Sequence, residues 1–138
     1  MNGKTEFHEF NHTDNLKYAV IMATYKDKYV FVRHKERDTL EIPGGHHEDG
    51  ETILETAKRE LYEETGAVEF DIAPICIYSV DDFGMLFYVN IKNFGEMPES
   101  EIAEVKLLDG LPDNWTYPNI QPLLVKKAQS YLKEKAIL

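Results

Sequence analysis

The chain has 138 residues, 43% of them hydrophobic and 12% aromatic, which supplies a packed core for one domain and is too apolar for a disordered chain. Its formal charge of −10 repels polyphosphate backbones and argues against general DNA or RNA coating, while small anionic ligands bridged by a metal ion stay open. Cys76 is the only cysteine, so no internal disulfide or cysteine zinc site can form; with no apolar run of signal-peptide or membrane-spanning length, a cytoplasmic protein without membrane contact is expected.

No repeat, low-complexity tract or linker divides the sequence, so residues 1–138 are expected to form a single domain, with residues 1–15 either an edge strand or flexible. Leu16 to Tyr25 and Lys28 to His34 are apolar and β-branched around the turn-like Lys26-Asp27 and read as a strand pair. The central stretch from Thr52 to Thr65 reads as a helix: Thr52 with Glu55 fits a capping box, and Gly66 suits the left-handed position after the last turn. Phe70 to Val80 and Gly84 to Ile91, joined around Asp81-Asp82-Phe83, read as a second strand pair, and Ala103 to Leu108 as a last strand. At the C-terminus Ile120, Leu123, Leu124, Ala128, Tyr131 and Leu132 recur at helical spacing, with Pro122 in the first turn and lysines toward the end. Strands and helices interleaved in this order predict an α/β fold with a mixed sheet between helices.

The central helix poses an electrostatic problem. At about 100° per residue, Glu60, Glu63 and Glu64 cover an arc of roughly 100° beside a stripe of Ile53, Leu54, Ala57 and Leu61, while Glu55, Lys58 and Tyr62 take the far side. Two carboxylates about 6 Å apart repel by roughly 3 kcal/mol at an effective dielectric near 20, against under about 1 kcal/mol in bulk water. A held proton, basic neighbours or divalent cations would each relieve the strain. Arg59 points about 100° away from Glu60 on the helix surface, so a hard cation bound through oxygen is the better solution, and Mg2+ is the natural occupant where protein ligands are few and substrate phosphates near. A solvated acidic face is the plain alternative.

Taken whole, the stretch has Gly45, Glu51, Arg59, Glu60, Glu63, Glu64 and Gly66 at fixed intervals, and so resembles the Nudix box, the signature of the Nudix hydrolases; only Ala67 departs slightly. Seven such identities arise by accident about once in ten million start positions. "LEIPGG", Leu40 to Gly45, resembles the MutT type of Nudix enzyme, and the element order resembles the Nudix α/β/α sandwich. The resemblance implies that Glu60, Glu63 and Glu64 ligate Mg2+ or Mn2+ with the carbonyl of Gly44, that Glu60 or Glu63 orients or deprotonates the attacking water, and that Arg59 pairs with Glu51 to hold the loop. Outside the box it implies a further ligand at Glu101, with Glu104 as substitute, and a phosphate-directed Lys35; His46 and His47, directly after the glycines, are further candidates for substrate contact. The glycine pair also has a physical reading: without Cβ atoms, Gly44 and Gly45 let a metal and a pyrophosphate approach the main chain.

The implied reaction is Mg2+-dependent hydrolysis of a nucleoside diphosphate linked to a further group, with an oxidised purine triphosphate such as 8-oxo-dGTP as the MutT-like substrate. Ile120 stands where MutT-type enzymes carry a base-reading asparagine, and Asn119 is one residue away. ADP-ribose or another nucleoside diphosphate derivative and an RNA 5′ end are alternative substrates. A non-catalytic ligand-binding module is a competing class; a calcium loop of the EF-hand type is not, since "GGHHEDGETILE" lacks its oxygen spacing.

Overall fold

A computed structural model of the chain describes residues 4–136. Its elements in order are β1 (Glu6–His8), β2 (Tyr18–Tyr25), β3 (Lys28–His34), β4 (Gly44–His46), α1 (Ile53–Thr65), β5 (Ala67–Val80), β6 (Asp82–Phe94), β7 (Ile102–Leu108) and α2 (Gln121–Ala136). The strands make one sheet in the order β1-β5-β6-β2-β3-β7. β2 runs parallel to β6 along its whole length, and the other pairings are antiparallel, so the sheet is mixed.

The free edge of β2 is shared, and this sharing makes the site. Ala23 to Tyr25 pair with β3, whereas Tyr18 to Val20 pair with β4. Lys26 and Asp27 turn the β2–β3 hairpin with φ of 49° and 66°, the left-handed pair that a two-residue hairpin requires. Beyond Ala23 the two partners part, and β4 carries the chain toward the start of α1.

Alternation distributes the side chains of β2 and β6 to two cores. Ala19, Ile21, Ala23, Phe87, Val89 and Ile91 face α1 and meet Ala57 and Leu61; Met22 and Leu86 face α2 and meet Leu124, Val125 and Ala128. A central strand covered on both faces must be apolar on both, which is why "YAVIMATY" shows no polar alternation. Helices thus cover the two faces of the sheet. Two apolar residues break the helical pattern: Leu54 and Leu123 are exposed, and Val125 is buried where Leu123 was expected. The apolar stripe on each helix is wider than the arc the sheet can cover.

α1 is bounded by local chemistry. The Thr52 hydroxyl accepts from the Glu55 N–H at 3.1 Å and the Glu55 carboxylate accepts from the Thr52 N–H at 2.8 Å. At the other end Gly66, at φ 78°, donates its N–H to the Tyr62 carbonyl. The second hairpin turns more tightly than the sequence implies: β5 and β6 pair up to Val80 opposite Asp82, leaving Asp81 at φ 71° as the turn. β5 is bulged near Glu69 and between Pro74 and Cys76. Among the described residues β1 covers its outer edge only at Ile77 to Ser79.

Candidate active site

β4 brings two glycines under the glutamates of α1. The Gly44 N–H donates to Glu64 Oε1 at 3.0 Å. A Cβ on Gly44 would lie 2.5 Å from the Ala19 carbonyl oxygen of β2, and one on Gly45 would run into the Glu60 carboxylate. Both glycines have ordinary backbone angles, unlike Gly50 and Gly66. Their bareness serves close packing, against β2 at Gly44 and against the Glu60 carboxylate at Gly45.

Arg59 ties the loop to the helix and to the acidic ridge. Its Nε donates to Glu51 Oε2 at 2.5 Å and its Nη2 to Glu51 Oε1 at 3.1 Å, a two-pronged pairing, while Nη2 also reaches the His46 carbonyl at 3.0 Å. Nη1 donates to Glu60 at 3.1 Å and to Glu63 at 3.2 Å. This corrects the helical-wheel expectation that Arg59 points away from Glu60. The wheel locates Cβ; a long guanidinium stem swings back across the face.

One guanidinium spread over Glu51, Glu60 and Glu63 leaves the ridge short of positive charge. Among the described residues Glu64 receives only the Gly44 N–H and, at 3.9 Å, the ring of His34. Burial pushes its carboxyl up to about 8, with Glu60, Glu41 and Glu63 adding to the shift and the Gly44 N–H opposing it. Burial also raises Glu60, against the pull of Arg59. Glu51 behaves oppositely: the Arg59 guanidinium, helped by Thr56 and the Glu48 N–H, holds it down at about 2. Glu63 is the freest, with a side chain 48% exposed against 14% for Glu60 and 13% for Glu64. Oxygen donors, a surplus of negative charge and two half-enclosed carboxylates are what a hard divalent cation fits. Among the described residues no three acidic, histidine or cysteine side chains converge closely enough to form a metal site by themselves.

The same glycines border a cleft on the α2 side of the sheet. It has a volume of about 430 Å3 and is lined by Tyr18, Val20, Ile42, Tyr78, Ile120 and Leu124, among others, with Gly44 and Gly45 at one side. That is the size and lining of a small-molecule site. The His46 ring stands edge-on to Tyr18 at 4.9 Å. Two larger surface hollows, one beside β7 and one beneath β1, lie away from the glutamates.

The profile of the NUDIX domain matches residues 15–109. The chain belongs to the Nudix family. In structure it is similar to the pyrophosphohydrolase BsRppH of Bacillus subtilis, with a TM-score of 0.80 and 20% identity over 95% of this chain and 97% of that one. It is also similar to a UDP-X diphosphatase, at TM-score 0.64 and 24% identity over 87% and 66% of the two chains. An ADP-ribose pyrophosphatase of Streptococcus suis follows, at TM-score 0.62 and 16% identity over 86% and 92%. No curated protein sequence matches significantly. The family makes the chain a pyrophosphohydrolase of nucleoside diphosphate derivatives, a class that works with divalent metal ions.

Against this Nudix frame the expected site residues separate. Gly44, Gly45, His46, Glu51, Arg59, Glu60, Glu63 and Glu64 form one connected constellation, and Gly66 closes the helix that carries it. Lys35 and Glu101 meet each other instead, the Lys35 N–H donating to the Glu101 carbonyl at 2.9 Å; among the described residues no ion pair joins the Glu101 side chain to α1. Asn119 is exposed and lies outside the cleft lining, while its neighbours Ile120 and Gln121 belong to it. The sequence reading also passed over Glu41. This carboxylate is buried within "LEIPGG", held by Arg37 at 2.9 Å and by His34 at 3.3 Å. A charge set between the core residues Leu40 and Ile42, with basic side chains just upstream, was the available sign.

Proposed function

We propose that this Nudix chain is a Mg2+-dependent pyrophosphohydrolase of nucleoside 5′-triphosphates, taking the nucleoside into the cleft and the phosphates across Gly44 and Gly45 to the α1 ridge. The observation that carries the reading is that one glycine pair both borders the cleft and holds Glu60 and Glu64. Glu60, Glu63 and Glu64, with the carbonyl of Gly44, would hold the ion. When bound, Mg2+ supplies charge neutralisation on the phosphates and activation of a water. Arg59 holds Glu60 and reaches Glu63, the Gly44 N–H holds Glu64, and Glu63, the most exposed of the three, or Glu60 would orient the attacking water. Arg59 and Glu51 keep the loop on the helix, which is a positioning role. Lys35 follows the His34 that approaches Glu64 and donates its N–H to the Glu101 carbonyl; on this reading Lys35 would meet phosphates extending past the ridge and Glu101 would be a further ligand.

Two further substrate classes belong to the same reading. They are a 5′-triphosphorylated RNA end and an oxidised purine triphosphate such as 8-oxo-dGTP, which would fit an aromatic cleft of this size. The deciding measurement is pyrophosphate and phosphate release with Mg2+ from 8-oxo-dGTP, dGTP, ADP-ribose and 5′-triphosphorylated RNA. Glu63→Gln and Glu64→Gln should each cut turnover by at least about a hundredfold while both variants still unfold cooperatively. Wild-type turnover in both would remove the ridge from the chemistry. Nucleotide binding without hydrolysis would make the chain a ligand-binding module.

A further inference from the structure

Gln121, at the start of α2, is a buried polar residue that the proposed chemistry does not use. It is 7% exposed and lines the cleft. Its Oε1 accepts from the Ile42 N–H at 2.9 Å. A main-chain N–H can only donate, so the oxygen must face Ile42 and the Nε2 amino group takes the other direction. That amino group has no hydrogen-bond partner among the described residues. No described buried polar atom is both unpartnered and closed off from solvent, so Nε2 opens onto the cleft. Tyr78 makes a second such group: it is 6% exposed, lines the same cleft, and its hydroxyl likewise lacks a partner among the described residues. Its ring lies over Gly84, where a Cβ would come within 2.9 Å of the hydroxyl oxygen. Burial raises the phenol well above its usual range, which keeps the proton on it.

Two donors that open onto the cleft leave positions for a ligand's acceptors, beside the carboxylates of Glu41, Asp81 and Asp82 in the same lining. On the reading that the cleft takes the nucleoside, we infer that Gln121 and Tyr78 select a purine with an oxo group at its six-position, guanine or hypoxanthine, over adenine. A six-position carbonyl accepts from the Gln121 amide, whereas the adenine amino group would set donor against donor. The cleft volume of about 430 Å3, walled by the rings of Tyr18, Tyr78 and Tyr117, accommodates a bicyclic base. A site built to donate discriminates strongly against a ligand lacking the acceptor.

Inosine and adenosine triphosphates differ only at this edge and make the test. Wild type should favour the inosine nucleotide at least tenfold in kcat/KM, mostly through KM. Gln121→Glu keeps an oxygen for the Ile42 N–H and turns the cleft-facing donor into an acceptor, so it should reverse the preference; Gln121→Leu should abolish it. A merely structural Gln121 would lower both rates alike and leave their ratio unmoved, which overturns the inference. If Gln121→Glu loses its folded Tm, wild-type binding of inosine and adenosine monophosphates by calorimetry decides, and equal Kd values overturn it. The same calorimetry applies if neither triphosphate is hydrolysed: selective binding then upholds the inference while the hydrolytic reading fails. Hydrolysis of both at equal kcat/KM fails the inference and leaves that reading standing.

Discussion

The α1 face and the α2 face of the sheet meet at Gly44 and Gly45, yet they are built in different ways. On the α1 face the polar groups come from the 21 residues between Gly44 and Glu64 and are cross-linked through one guanidinium. On the α2 face the cleft is assembled from β2, the Glu41-Ile42 segment, β5 and α2, and its two buried donors stand alone. The first is a contiguous device in which each part stabilises the next. The second is a meeting of distant segments that leaves unfilled valences for a ligand. Rigid charge placement suits the invariant phosphate chemistry, and unpartnered donors suit choice among ligands.

The two glycines offer the largest expected effects and separate function from fold. Gly45→Ala puts its Cβ against a flexible carboxylate that can swing aside; it should displace Glu60 and cut turnover about a hundredfold, as misplacements near 1 Å do, with a stability loss under about 1 kcal/mol. Gly44→Ala drives its Cβ into the Ala19 carbonyl, which cannot move without moving β2, and should cost roughly 2–3 kcal/mol in denaturant unfolding. Equal behaviour of the two variants would dissolve the division between an adjustable side and a fixed one.

The acid-base behaviour of Glu64 gives a smaller, graded effect. With its folded value near 8 and an unfolded value near 4.3, the carboxyl keeps its proton in the fold after the unfolded chain has lost it. Its burial therefore costs nothing below the unfolded value, costs progressively more as pH rises from there to about 8, and levels off above. On the proposed reading a divalent cation held by Glu64 would displace that proton and relieve the cost. The Tm gain from millimolar Mg2+ should grow between pH 6 and pH 8.5, and Glu64→Gln should flatten the profile. A gain independent of pH in wild type would mean that Glu64 is ionised without the metal.

The smallest effect belongs to the cleft. Gly84→Ala would push on the Tyr78 ring and should cost about 1–2 kcal/mol, with any base preference reduced and turnover on the preferred nucleotide little changed. A loss of turnover as large as that of Gly45→Ala would show the cleft to be as tightly coupled to the chemistry as the ridge.

What could be read from the sequence follows the same division. The caps of α1 at Thr52, Glu55 and Gly66 are local hydrogen-bond patterns, so spacing alone exposed them, and the glutamate ridge came with the helix. β4 escaped because three residues with two glycines show no alternation; pairing with β2 alone makes it a strand. Gln121 and Tyr78 escaped because they lie 43 positions apart in the chain and only the packing of α2 on the sheet joins them at one cleft. Leu54 and Leu123 were placed inside by periodicity, which counts apolar residues without knowing how wide the opposing surface is. Asn119 was placed at the substrate by proximity in sequence, and the turn before α2 sends it outward.

The outer rim of β5 has a consequence for the chain's behaviour in a crowded solution. From Val68 to Pro74 the rim offers main-chain groups that β1 does not cover, and such a rim invites a neighbouring molecule to add a strand and seed aggregation. Glu69 and Asp71 put negative charge along it, Pro74 removes a donor, and the irregular register bends it out of line. An approaching copy therefore meets repulsion and a broken ladder, a safeguard carried by residues that touch neither the ridge nor the cleft.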